Sequence, residues 1–179
     1  MDTNRRSIRI PKFDYSQPGM YFITVSTLHK KAVFGIINHG TTTYTKWGNI
    51  VINELNKLPL RVRNIELDEN IVMPDHIHML ILIRDLGTAM LQHDQTTTNA
   101  RRAPTLEKSN EKFGNPVHAS IPTIIRSFKS SVTNRIRQIE RKQVDVWQKN
   151  YYEHIVRDEN ELYQIRKYIH DNPEASQFS

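Results

Sequence analysis

The sequence predicts an α+β fold in which one antiparallel sheet carries helices. Three observations lead there. Four separated runs of strand length are rich in β-branched, aromatic and aliphatic residues. Three longer segments repeat apolar residues at helical spacing. The elements fall in the order strand, helix, strand, strand, helix, strand, followed by one more helix.

Residues 1–20, MDTNRRSIRIPKFDYSQPGM, read as a basic irregular arm ending in a Pro-Gly turn. YFITVST (Tyr21 to Thr27) is the first strand. KKAVFGIINHGTTTYT reads as a short extended excursion or hairpin. WGNIVINELNKL places Ile50, Val51, Leu55 and Leu58 at helical spacing, and Pro59 is expected to stop that helix. NIELDENIVM is the second strand, Pro74-Asp75 supplies turn chemistry, and HIHMLILI is the third strand. From residue 84 to residue 119 the chain is polar and aperiodic, which predicts a long mobile insertion. SIPTIIRSFKSSVTNRIRQIE is an amphipathic helix with Ser120 as N-cap and an apolar stripe of Ile124, Ile125, Phe128, Val132 and Ile136. YYEHIVR is the fourth strand. DENELYQIRKYIHDNP is the last helix, with Asp158 and Glu161 as its capping pair and Pro173 after its end. The order is the split βαβ arrangement of ferredoxin-like folds. It predicts a βαββαβ antiparallel sheet with helices on one face, plus a C-terminal helix that carries a tyrosine.

A chain of 179 residues suffices for one domain, residues 1–179, with the insertion at 84–119. The net charge of +6 favours an anionic partner, nucleic acid first. The absence of cysteine excludes disulfides and thiolate metal sites and suits a cytoplasmic protein. No apolar run approaches membrane-spanning length and the first twenty residues lack a secretory signal, so no membrane partner is expected.

The chemistry concentrates in VMPDHIHMLILI. His76 and His78 are two apart on a predicted strand, so both imidazoles point to one face. Taken alone they read either as two half-buried structural histidines or as half of a metal site. On the last helix, Leu162, Ile165 and Ile169 form the packing stripe, and Tyr168 and Asn172 stack four apart at its edge. Tyr163 falls on roughly the opposite side. That helix can offer a phenol and an amide oxygen at the sheet surface. An amphipathic edge tyrosine and a helix C-cap asparagine fit the same pattern.

A His-hydrophobic-His strand followed by a helical tyrosine resembles the HUH single-strand nucleases. More narrowly, the chain resembles the REP-associated tyrosine transposases. FDYSQPGMYFITVSTLHKKAVFG is similar to that family's opening strand and NIVMPDHIHMLILI to its HUH strand. SIPTIIRSFKSSVTNRI is similar to its central helix and VWQKNYYEHIVRDENELYQIRKYIHDNP to its terminal block.

The resemblance implies roles. His76 and His78 match the two metal ligands and Tyr168 the nucleophile. Asn172 stands where related insertion-sequence enzymes have a glutamine as third ligand. His154 lies in a matching block, as a residue behind the ligands, a DNA contact or a packed, hydrogen-bonded histidine. The cofactor implied is a divalent metal, Mg²⁺ or Mn²⁺. The substrate implied is single-stranded or hairpin DNA, cut through a 5′-phosphotyrosine and rejoined. Arg5, Arg6 and Arg9 of the arm and Arg126 and Lys129 of the basic helix are expected to hold backbone phosphates. The alternatives are a hairpin-DNA-binding protein without catalysis and an HUH replication initiator or relaxase. Monomer and homodimer are both compatible with the sequence.

Overall fold

The computed structural model describes residues 14–85 and 119–175. The elements run β1 (Gly19–Ser26), a hairpin of β2 (Gly35–Asn38) and β3 (Thr41–Tyr44), α1 (Lys46–Asn56) and α2 (Leu58–Arg61). They continue with β4 (Ile65–Val72), β5 (His76–Ile83), α3 (Ile121–Glu140), β6 (Tyr152–Ile155) and α4 (Glu159–Ala175). The main sheet has the order β4-β5-β1-β6 and every neighbouring pair is antiparallel, as the ferredoxin-like reading requires. The arm bearing Arg5, Arg6 and Arg9, and all but the ends of the insertion expected at 84–119, lie outside the described residues.

Strand alternation sorts the sheet into two faces. Tyr21, Ile23 and Val25 of β1 and Ile77, Met79 and Ile81 of β5 share a core with Val51 and Leu55 of α1 and Phe128, Val132 and Ile136 of α3. Phe22 of β1 and Leu80 of β5 belong to a second cluster, closed by Ile169 of α4. Ile71, Leu162 and Ile165 pack around it. The molecule is therefore three layers: α1 and α3, the sheet, then α4. Helix cover on both faces explains why HIHMLILI runs from half-hydrophilic to continuously apolar.

Three devices seat α4 on its face of the sheet. Ile169 is 1% exposed and contributes roughly 1.5–3 kcal/mol by burial. Arg166 Nε and a terminal guanidinium nitrogen donate to one carboxylate oxygen of Asp68, at 2.8 and 2.7 Å. Asp68 lies where β4 breaks register against β5, between Leu67 and Asn70, and such irregularities re-aim side chains. At the start of α4, Asp158 Oδ1 accepts from the Glu161 amide at 2.8 Å and Glu161 accepts from the Arg157 amide at 2.7 Å, which is the expected capping pair.

The structure departs from the expected elements in three places. Pro59 does not simply stop the first helix: it sits in the first turn of α2, where a missing N–H costs nothing. Pro173 does not follow the last helix but lies inside its final turn, since α4 runs to Ala175. The first helix also starts one residue earlier than WGNIVINELNKL. Thr45 caps it by accepting from the Gly48 amide at 3.2 Å. A Cβ on Gly48 would fall 2.0 Å from the Phe34 carbonyl oxygen, so only glycine lets α1 approach the hairpin this closely.

Candidate functional site

Register places the site. Thr24 of β1 lies opposite His78 of β5, and Ser26 lies opposite His76. These side chains share the α4 face with Phe22. His76 Nε2 and His78 Nε2 stand 3.1 Å apart. The expectation that both rings face one side of one strand therefore describes the structure.

The opposite nitrogens of both rings are already engaged. His76 Nδ1 is 2.6 Å from Asp75 Oδ1, and His78 Nδ1 is 2.8 Å from Thr24 Oγ1. A carboxylate can only accept, so it draws the His76 proton to Nδ1 and leaves the lone pair on Nε2. The Thr24 hydroxyl can serve either tautomer of His78. Phe22 stacks on the His78 ring with centroids 5.3 Å apart and planes at 24°. Burial, with His76 beside it, holds His78 down to about 3 despite the opposing charge of Asp75, so the ring is neutral at neutral pH.

Helix α4 brings the phenol. Tyr168 Oη is 3.3 Å from His78 Nε2, and its ring meets Phe22 edge-on at 6.2 Å. Ile169 pins the helix beside it while Tyr168 stays half exposed, so a ligand can approach the hydroxyl from solvent. Tyr163 is 62% exposed and points elsewhere, as its helical angle requires. Asn172, one turn beyond Tyr168, is buried.

These residues fit a divalent cation. Two cis ligands of an octahedral ion with bonds near 2.1 Å are separated by roughly 3.0 Å, close to the 3.1 Å between the two Nε2 atoms. Rings whose second nitrogen is fixed by a carboxylate or hydroxyl are also the usual form of metal-binding histidine. Among the described residues no group of three His, Cys, Asp or Glu side chains can hold a metal. A cation at the two imidazoles would need any third protein ligand to be of another type, such as an amide. One Nε2 lone pair on His78 can accept either a phenol proton or a cation, not both at once.

The other expected residues sit apart. His154 shares the sheet face, opposite Phe22 in the register, but its Nε2 bonds Glu161 Oε1 at 2.6 Å. Glu161 precedes Tyr168 by about two helical turns, so this bond ties β6 to α4. Arg126 and Lys129 belong to α3, in the layer across the sheet from His76 and His78. Lys129 Nζ donates to the carbonyls of Gln148 and Lys149 at 2.6 and 3.3 Å, and burial lowers its pKa. It braces the segment before β6 rather than standing free, whereas Arg126 is exposed.

Asp75, Thr24 and Phe22 were not singled out from the sequence. Asp75 is adjacent to His76 but reads as a turn residue. Alternation in YFITVST puts Phe22 and Thr24 on one face, yet only the β1–β5 register shows which histidine they meet.

A protein of Haemophilus influenzae, described only as uncharacterized, is 34% identical over 172 residues, which cover 95% of this chain and 88% of that one. No protein-family model matches the chain. Among solved structures, a REP-associated tyrosine transposase bound to a REP hairpin superposes with a TM-score of 0.58 at 14% identity, over 96% of this chain and 74% of that chain. A candidate transposase of Deinococcus radiodurans aligns with a TM-score of 0.47 at 15% identity, over 87% of this chain and 91% of that chain. No helix among the described residues is long and apolar enough to cross a membrane. The chain belongs to one family with the Haemophilus influenzae protein, and its fold is that of a REP-associated tyrosine transposase.

Proposed function

We propose that the protein is a divalent-metal-dependent tyrosine transposase that cleaves and rejoins single-stranded DNA beside hairpin-forming repeats. The observation that carries this reading is the meeting of three groups on one open face: His76 Nε2 and His78 Nε2 at 3.1 Å, and Tyr168 Oη at 3.3 Å from the latter. The fold it shares with a transposase bound to a REP hairpin supports the choice of substrate, and so does the net charge of +6.

In this reading His76 and His78 hold Mg²⁺ or Mn²⁺, with the Asn172 amide oxygen as third protein ligand. Imidazole donors lean toward manganese, whereas magnesium prefers oxygen. When bound there, such an ion would supply charge neutralisation at the phosphoryl oxygens and the departing 3′ oxygen. Asp75 and Thr24 keep the two rings aimed. Ile169 and the Arg166–Asp68 pair hold α4 so that Tyr168 presents its oxygen in line with the phosphate. Tyr168 Oη bonds to phosphorus as the bond from phosphorus to the 3′ oxygen breaks. The phenolic proton passes to solvent and the 3′ oxygen gains one. The products are a 5′-phosphotyrosine and a free 3′ hydroxyl, and attack by another 3′ hydroxyl reverses the step without ATP. Only one phenol of α4 reaches the histidines, which favours a single-tyrosine transposase over an initiator or relaxase with paired tyrosines.

The test is a covalent adduct. Incubation with end-labelled hairpin DNA carrying single-stranded flanks, plus Mn²⁺, is expected to give a labelled species that survives denaturing electrophoresis. A protein that binds the same hairpins tightly and forms no adduct with any divalent metal is a binding protein instead.

A further inference from the structure

Two adjacent phenols, Tyr152 at the start of the edge strand β6 and Tyr151 just before it, have surroundings that the proposed reaction does not use. Tyr152 lies opposite Thr24 of β1, and Thr24 lies opposite His78 of β5. Tyr152, Thr24 and His78 thus form one row across the sheet, on one face, with Tyr152 roughly 10 Å from His78 at two strand spacings. Tyr152 is 45% exposed although its ring packs edge-on against Phe22, with centroids 6.3 Å apart. Phe22 in turn stacks on His78 and meets Tyr168. An exposed aromatic face is therefore fixed, through Phe22, to the same cluster as the candidate nucleophile.

Tyr151, the residue before β6, packs against the main core on the opposite face of the sheet. There it lines a groove of about 290 Å³ with Arg126, Lys149, Lys129 and Pro122. Arg126 and Lys149 are exposed, and Lys129, tied to backbone carbonyls, adds fixed positive charge. Ordinary surface lysines would be scattered; here the cations flank an aromatic directly around the edge from Tyr152.

We infer that the β6 edge is the track of the single strand next to the cleaved phosphate: a base stacks on Tyr152, and the chain then turns over the edge so that its next phosphates meet Arg126 and Lys149. The inference rests on the proposed DNA reaction and names where its substrate strand runs. Aromatic platforms joined to a cationic groove are the general means of holding unpaired DNA, and stacking is tolerant of sequence. The arrangement also gives the basic face of α3 a route to a site in another layer. A duplex offers no free base face to Tyr152.

The probe is oligo-dT16, with a blunt duplex as control, titrated by fluorescence anisotropy against the full chain at low salt. Tyr152→Ala is expected to weaken dT16 binding about tenfold, toward the lower end of the range for loss of one stacked base, and to leave duplex binding within about twofold. Tyr152→Phe should restore wild-type affinity, since the ring and not the hydroxyl is required. Arg126→Ala and Lys149→Ala should each lower the salt slope of dT16 binding by about one. With 5-iododeoxyuridine in the oligonucleotide, the photocrosslink should map to Tyr152. Unchanged dT16 affinity in Tyr152→Ala, a crosslink only at other residues, or no dT16 binding by the wild type would overturn the inference. The two readings fail separately. Adduct formation at Tyr168 with a silent Tyr152→Ala removes the track and keeps the transposase. A tenfold effect at Tyr152 without any adduct keeps the track on a non-catalytic binding protein.

Discussion

Tyr168 Oη and His78 Nε2 lie 3.3 Å apart although 90 positions separate them in the chain. The contact exists because the register of β5 against β1 turns His78 toward α4 and because Ile169 seats α4 on Phe22 and Leu80. Each support can be removed separately.

Thr24→Val keeps the shape and the strand preference of residue 24 but removes the partner of His78 Nδ1. Stability is expected to fall by about 1–3 kcal/mol, because a nitrogen of the buried His78 ring loses its partner. Manganese affinity, followed by titration calorimetry or by loss of the free-ion paramagnetic resonance signal, is expected to fall about tenfold to a hundredfold. Unchanged affinity would mean that His78 is not aimed by Thr24 or does not bind the ion.

Ile169→Ala should uncouple the helix from the sheet. A cost of about 2–5 kcal/mol is expected for a buried isoleucine. Because the cluster under α4 is small and separate from the main core, the loss should be regional. Hydrogen exchange should accelerate along α4 and in its contacts with β4, while α3 amides around Phe128 stay protected. Uniform acceleration would show that α4 unfolds only with the whole domain.

Glu54 of α1 supplies a pH dependence remote from the site. It is buried and accepts from Lys57 Nζ at 3.2 Å and Arg61 at 2.6 Å, while Arg61 also reaches Ser131 of α3. Burial alone would raise its pKa, but the two cationic donors outweigh that and hold it below the ordinary 4.5. A folded pKa below the unfolded one means that the stabilisation is complete above the unfolded value and is lost as pH falls through the folded value. Glu54→Gln is therefore expected to cost about 1–3 kcal/mol at neutral pH and to flatten the acid limb of stability. Denaturant midpoints from about pH 7 down to about pH 2 should converge at the acid end. Parallel curves for both proteins would refute the coupling.

Much of this architecture is legible in the sequence because alternation is a strong signal where one face differs from the other. HIHMLILI gives both the extent of β5 and the common face of His76 and His78, and the α4 stripe of Leu162, Ile165 and Ile169 correctly separates Tyr168 from Tyr163. What depends on pairing between strands is not legible. Nothing local shows that Thr24 meets His78, that Tyr152 shares their row, or that the basic residues of α3 lie across the sheet from the histidines. Proline does not mark a helix end at either position, for a local reason. Pro59 opens a turn of helix after Lys57, and Pro173 forfeits one i→i−4 bond with only two helical residues after it. The insertion expected at 84–119 lies almost wholly outside the described residues.

The central claim is that Tyr168 is the nucleophile, and mass spectrometry of the DNA adduct tests it most directly. Wild-type protein incubated with labelled hairpin DNA and Mn²⁺, then digested with protease and nuclease, is expected to yield a phosphorylated peptide carrying the modification on Tyr168. Tyr168→Phe should bind the hairpin within about twofold of wild type, since phosphate contacts dominate affinity, and should give no adduct, while Tyr163→Phe behaves as wild type. A modification on Tyr151 or Tyr152, or an undiminished adduct in Tyr168→Phe, would contradict the account.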